Sequence, residues 1–112
     1  MILVTGGTGF IGRNLVETLI NSGYHVRTLL KPSQKNPDLP KGIPVEAVVC
    51  SLNDERGLRA ALKGVDIVFH LAGSERQSSR ANLSEIDVLG TNTLLQAAKK
   101  SKVSRLVYLS HL

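Results

Sequence analysis

Four glycines fall within seven positions of the opening "MILVTGGTGFIG", at Gly6, Gly7, Gly9 and Gly12. They follow a short apolar and β-branched run and lead into an amphipathic one. The first N–H groups of a helix have no intrahelical acceptors, and the helix dipole is positive at that end. An anion placed there accepts those N–H groups and meets favourable charge. Side chains would block its approach, so a loop that brings backbone against a phosphate needs glycine. Gly7, Gly9 and Gly12 satisfy G-x-G-x-x-G, and Gly6, Gly9 and Gly12 satisfy G-x-x-G-x-x-G. In either reading Gly9 lies where backbone approaches a pyrophosphate, and Gly12 lies on the helix face that packs against the sheet. The pattern gains meaning from its strand–loop–helix context, which this stretch supplies.

The elements that must hold this loop follow from periodicity. Residues 2–5 read as a buried strand and 11–22 as a helix. In that helix Ile11, Leu15 and Leu19, together with Gly12, Val16 and Ile20, make one apolar face, and Gly23 is the stop. "HVRTLL" is a second strand, and the three-proline stretch "KPSQKNPDLPKG" a loop. "VEAVVCSL" is a third strand. Asn53 or Asp54 caps a helix carrying Leu58 and Leu62 on one face and ending at Gly64. "DIVFHLAG" is a fourth strand, "SERQSSRAN" a polar loop, and residues 83–100 a helix with Ile86, Gly90, Leu94 and Ala97 or Ala98 inward. "RLVYLS" is a fifth strand. Strands alternating with helices imply βαβ units, hence an α/β domain with an open, doubly wound parallel sheet of about five strands in the order 3-2-1-4-5 and helices on both faces. No linker, repeat or low-complexity tract divides residues 1–112, so they read as one domain.

Composition narrows the partners. The chain has 112 residues and a net charge of +5, but its basic residues are scattered, with small groups at Lys99, Lys100 and Lys102 and at Arg76 and Arg80. Aromatics are 4% and tryptophan is absent, so a nucleic-acid surface with interleaved stacking platforms is not expected. A basic balance also suits a multiply charged phosphate ligand. No apolar run is long enough to span a bilayer, and no basic segment precedes the first strand, so no membrane partner is expected and the cytoplasm or an organelle matrix is the default location. Cys50 lies in an apolar run and reads as an inert buried thiol.

"TGGTGFIG" resembles the signature of the extended short-chain dehydrogenase/reductases, which include nucleotide-sugar epimerases, dehydratases and flavanone-type reductases. It is also close to atypical, NmrA-like members. The likeness runs the whole chain: "GVDIVFHLAG" is similar to the family's fourth-strand motif, and "IDVLGTNTLLQAAKKSKVSRLVYLS" to the helix and strand that follow. It implies a Rossmann-type dinucleotide-binding domain. By position it places Gly6, Thr8, Gly9, Phe10 and Ile11 around the pyrophosphate and Leu71, Ala72 and Gly73 beside the cofactor ribose. Ser51 and Leu52 fall near adenine, where the family commonly has Asp-Leu. Asp87 stands where extended members often have asparagine, which leans toward the atypical branch, and Ser110 begins the active-site serine region.

An NAD-selective site places a carboxylate on the ribose 2′-OH about 20 positions past the glycines. Here that count reaches Leu30, Lys31 and Pro32, and Asp38 is the nearest carboxylate downstream. Lys31 is therefore expected to pair with a 2′-phosphate, with Ser33 donating a hydrogen bond and Arg27 or Lys35 as lesser helpers. NADP(H) is favoured, with NAD(H) as the other cofactor considered. The resemblance also implies a catalytic tyrosine with lysine four residues on. Position 28 is threonine and position 112 leucine, so neither Tyr24 nor Tyr108 qualifies, and no catalytic residue is assigned. Tyr108 reads as core or sheet surface, His25 as exposed at the start of a strand, and His70 as a packed histidine. No cysteine–histidine spacing suits a metal.

The expectation is a cofactor-binding portion of a longer protein, inactive alone and associating with itself through the exposed edge of the fifth strand. The whole protein would act on a small-molecule substrate by hydride transfer, as an oxidoreductase, epimerase or dehydratase. The alternative is a non-catalytic NADP-binding sensor or assembly factor of the NmrA-like kind.

Overall fold

The computed structural model describes residues 1–6, 10–32, 42–71 and 91–109. Its elements in chain order are β1 (Ile2–Thr5), α1 (Phe10–Asn21), β2 (Val26–Leu30), β3 (Glu46–Val49), α2 (Glu55–Ala61), β4 (Ile67–Leu71), a helix α3 described over 91–99, and β5 (Arg105–Leu109). All pairings are parallel, in the order β3-β2-β1-β4-β5. This is the expected doubly wound sheet.

Each strand alternates its side chains between two apolar layers. Ile2, Val4 and Val26 pack with Val16 of α1, joined by the half-buried Leu15, Leu19 and Ile20. Leu3, Leu29 and Val68 face the other way, onto Leu58, Ala61 and Leu62 of the α2 region and Leu94, Ala97 and Ala98 of α3. α1 thus covers one face, and α2 with α3 the other. β1 lies in the centre with all four residues buried, as a strand covered on both sides must be.

α1 ends as its glycine predicts. Gly23 has φ +95°, its N–H donates to the Ile20 carbonyl (3.0 Å), and the Tyr24 N–H reaches back to the Leu19 carbonyl (3.1 Å). This is the paired closure that a left-handed residue permits. The apolar face is narrower than expected. Gly12 and Val16 are buried, but Ile11 is 65% exposed and Phe10 84%. Both rows meet the sheet from Leu15 onward, and only Ile11, in the first turn, is turned away from it. His25 is exposed as expected but precedes β2 rather than beginning it.

β3 is shorter than the apolar run suggests, and Glu46, Ala47 and Val49 are exposed. An outer strand buries less of itself than a central one, so apolar content overstates its extent. Between the two candidate caps the structure selects Asp54, whose Oδ1 accepts from the Gly57 N–H at 3.0 Å. α2 stops at Ala61, with Leu62 as its C-cap and Gly64 beyond at φ +79°. A Lys100–Glu55 ion pair at 2.9 Å ties the end of α3 to the start of α2, and the Lys100 hydrogen bond, then its charge, lower the Glu55 carboxyl from its ordinary value. Ile86 and Gly90 lie outside the described residues.

Asp54→Ala should lower stability by about 1 kcal/mol by orphaning the Gly57 N–H. Chemical denaturation with an unchanged m-value would register this as a lower midpoint, and an unchanged midpoint would deny Asp54 its capping role.

Candidate functional site

The carboxyl ends of the parallel strands open on one side of the sheet. Successive connections diverge between β1 and β4: β1 leads to α1 on one face, and the chain after β4 leads to α3 on the other. The crevice at such a divergence is where doubly wound sheets place ligands.

Gly6 forms one wall. Its φ is +74°, a conformation L side chains rarely adopt, and a Cβ there would lie 2.6 Å from the Leu71 carbonyl oxygen and 3.1 Å from Leu71 Cβ. Glycine is therefore required twice over, by backbone handedness and by the close approach of β1's end to β4's end. The start of α1 forms another wall. Phe10 and Ile11 are exposed, Gly12 is buried, and the first turn holds no acidic residue. The helix's positive end is thus free of a carboxylate that would oppose an anion, which is the environment a pyrophosphate needs. Lys31 follows β2 at the same end of the sheet and is exposed.

Ser51 and Leu52 follow β3 at that end too, but both have local duties. The Ser51 hydroxyl accepts from the Asn53 N–H (3.1 Å), and Leu52 packs half-buried on the α2–α3 layer. Leu71 is buried at the end of β4. Thr8, Gly9, Ser33, Ala72 and Gly73 lie outside the described residues, as do Gly7, Lys35, Asp38, Arg76, Arg80, Asp87 and Ser110. Of the candidate cofactor residues the structure thus describes Gly6, Phe10, Ile11, Gly12, Lys31, Ser51, Leu52 and Leu71, and among these it brings Gly6 and Leu71 together.

Arg27 does not belong with them. It is the second residue of β2, toward the opposite end of the sheet, where its Nε donates to Glu46 (2.9 Å) and its Nη1 to the carbonyls of Ala61 (2.6 Å) and Lys63 (3.0 Å). It fastens β3 and the end of α2 to β2, far along the strand from any ligand beside Gly6. Cys50 is buried, with its thiol 3.3 Å from the Ser51 carbonyl oxygen. Burial, and secondarily the Asp54 carboxylate, push that thiol up from its ordinary value, as befits an unreactive cysteine. Tyr108 is 44% exposed, on the sheet surface. Among the described residues there is no cluster of three or more metal-ligating side chains, and no helix is long and apolar enough to cross a membrane.

One group that composition and spacing understate is polar and buried. His70 shares hydrogen bonds with Thr5 Oγ1 through Nδ1 (2.5 Å) and with Thr91 Oγ1 through Nε2 (2.9 Å), and its ring lies 5.4 Å from that of Tyr108. His70 is a packed histidine, as expected. Its partners are separated from it by 65 and 21 positions; strand register finds Thr5, and Thr91 is found only once α3 is laid over the sheet.

Strand order, glycine turn and open helix start define a Rossmann-type nucleotide-binding domain. Comparison with known proteins takes this further: residues 2–110 match the model of the NAD dependent epimerase/dehydratase family, and the chain belongs to that family. A nicotinamide dinucleotide is accordingly its class of cofactor. Sterol demethylase protein B of Methylococcus capsulatus is 38% identical over 110 residues, covering 96% of this chain and 33% of that protein. The crystal structure of gox2253 superposes with a TM-score of 0.86 at 33% identity, covering 96% of this chain and 33% of that one. A uronate dehydrogenase variant from Agrobacterium tumefaciens, complexed with NAD, gives 0.75 at 28% identity, covering 97% and 40%. The chain spans about a third of the length of the curated relatives it matches.

Gly6→Ala should both destabilise the fold, by at least about 1 kcal/mol from the left-handed backbone alone, and weaken dinucleotide binding as β1 and β4 are forced apart. Thermal melting and calorimetric titration read the two effects. Wild-type behaviour in both would mean that the Gly6–Leu71 approach is not a constraint.

Proposed function

We propose that this chain is the dinucleotide-binding part of a short-chain-type oxidoreductase or nucleotide-sugar epimerase, and that it binds NADP(H) in preference to NAD(H). Hydride exchange is the chemistry the nicotinamide supplies when bound. The chain's own residues bind and orient. The N–H groups at the start of α1 receive the pyrophosphate, Gly6 keeps that approach open, and Leu71 borders the ribose. The observation that carries the cofactor preference is position 31. An exposed lysine directly follows β2, at the same sheet end as Gly6 and the start of α1, where an NAD-selective site would hold a carboxylate on the 2′-OH. A lysine there favours a 2′-phosphate and gains nothing from a hydroxyl that a carboxylate would otherwise have accepted from.

No tyrosine in these residues has lysine four positions on, so the proton transfer that accompanies hydride transfer in a short-chain reductase has no donor here. The substrate would be a small molecule bearing a carbonyl or hydroxyl, and the 112 residues would bind cofactor without turnover. β5 is an outer strand of the described sheet, and an outer edge with free backbone groups recruits a second chain. Self-association through that edge belongs to the same proposal.

NADPH should bind more tightly than NADH, and Lys31→Asp should erase or reverse the preference. A charge-assisted contact contributes about 1.5–3 kcal/mol, or roughly tenfold or more in affinity. Equal affinities in the wild type would reduce Lys31 to a surface lysine. Cofactor oxidation by the purified chain with a ketone, aldehyde or nucleotide sugar would show that its chemistry is carried within these residues. A strict monomer by sedimentation at high concentration would remove the association through β5.

A further inference from the structure

We infer that His70 is a positioning residue for the dinucleotide, acting by locking the end of β1 to the start of the described part of α3. The inference rests on the reading that the cofactor binds in the β1–β4 crevice. Thr5, His70 and Tyr108 stand in one register row across β1, β4 and β5. They face the layer of α2 and α3, and Thr91 closes the row from the helix side. The row ends the apolar layer at the edge where the crevice opens. Thr5 immediately precedes Gly6, and His70 immediately precedes Leu71, whose carbonyl is the atom Gly6 approaches.

Thr5 and His70 are each 3% exposed. Burying an imidazole and a hydroxyl costs free energy that an apolar pair at the same positions would not. Both are hydrogen-bonded, and no buried side-chain nitrogen or oxygen among the described residues lacks a partner. What a polar row provides and an apolar row does not is direction. Leucine packed on valine can slide by a fraction of an ångström, whereas two hydrogen bonds on opposite nitrogens of one rigid ring fix the positions of both partners. Those partners lie on either side of the crevice's floor. One is the last residue of β1, and the other is on α3, the helix reached from the end of β4. The ring therefore transmits the placement of α3 to the residue that launches the glycine loop.

The test is a double-mutant cycle read in both ligand affinity and stability. Thr5→Val and His70→Leu are made singly and together, with His70→Asn as the conservative variant. Titrations with NADPH and NADH are run well below each variant's melting temperature. Each single variant should lose about tenfold in affinity for the dinucleotide, the order of one buried hydrogen bond. The double variant should lose no more than the worse single one, because the two act through a single bond. His70→Asn, whose amide reaches the Nδ1 position but not Nε2, should recover stability lost in His70→Leu through the bond to Thr5 but little of the affinity, because the link to Thr91 stays broken. Losses that multiply in the double variant would overturn the inference, as would full affinity in variants whose melting temperature alone has dropped. Should His70→Leu not fold, Thr5→Val and Thr91→Val complete the cycle by removing only hydroxyls, with the same non-additivity expected and additivity again decisive against it. A wild-type chain that binds neither dinucleotide refutes the underlying functional reading, a result visible before any variant is made.

Discussion

β1 has to satisfy neighbours in four directions with four residues. Both of its edges are hydrogen-bonded, to β2 and to β4, and both of its faces are buried. A parallel strand in that position cannot turn back on itself, so the chain must leave it by a crossover, and the crossover must start from its carboxyl end. That requirement puts the glycine loop where it is. It also puts the end of β4, which shares β1's other edge, against the loop's first residue. The Gly6–Leu71 approach is therefore a consequence of central-strand geometry rather than an independent feature. Any residue with a Cβ at Gly6 would have to move one of the two strands that organise the sheet.

The same constraint separates the two ends of the molecule into different roles. At the amino end of the strands, Arg27 spends its guanidinium on Glu46 and two helix-end carbonyls. Those bonds tie an outer strand and a short helix to the sheet. At the carboxyl end, described backbone and side chains converge on a crevice: a left-handed glycine, a helix start without an acidic side chain, a lysine, and a polar row beneath them. The proposed cofactor site lies at the second end, where the N-termini of helices that follow parallel strands open.

Much of this was legible in the residues because parallel α/β sheets have few solutions. Alternating strand and helix periods, the crossover rule and the loop pattern led to the observed strand order. What stayed illegible has identifiable causes. Two rows of apolar residues, one from Gly12 and one from Ile11, step by four along α1. Periodicity puts both rows on the sheet and does not say that Ile11, in the first turn, stays outside it. The apolar content of "VEAVVCSL" suggested a long third strand, yet an outer strand has a partner on one edge only. Sequence alone admits Arg27 as a lesser helper to Lys31 at the 2′-phosphate. Strand geometry separates them, since a residue advances more than 3 Å along a strand at each step. The lesser helper was at the wrong end of the same element.

The polar row is the most instructive of these, because its members are unremarkable one at a time. A threonine ending a strand, a histidine within an apolar run and a threonine on a helix each have an ordinary reading, and the ordinary reading of His70 as packed is correct as far as it goes. Their joint significance depends on register, which pairs Thr5 with His70 and His70 with Tyr108. It also depends on the face to which the row points, which follows from parity with Leu3 and Val68. Those two facts put directional bonds at the last level of the core before the crevice. Below that level the layer facing α2 and α3 is apolar and tolerates small shifts. Above it a ligand must meet fixed N–H groups. A transition from adaptable packing to directional bonding at that height is what a rigid binding edge on a close-packed core requires.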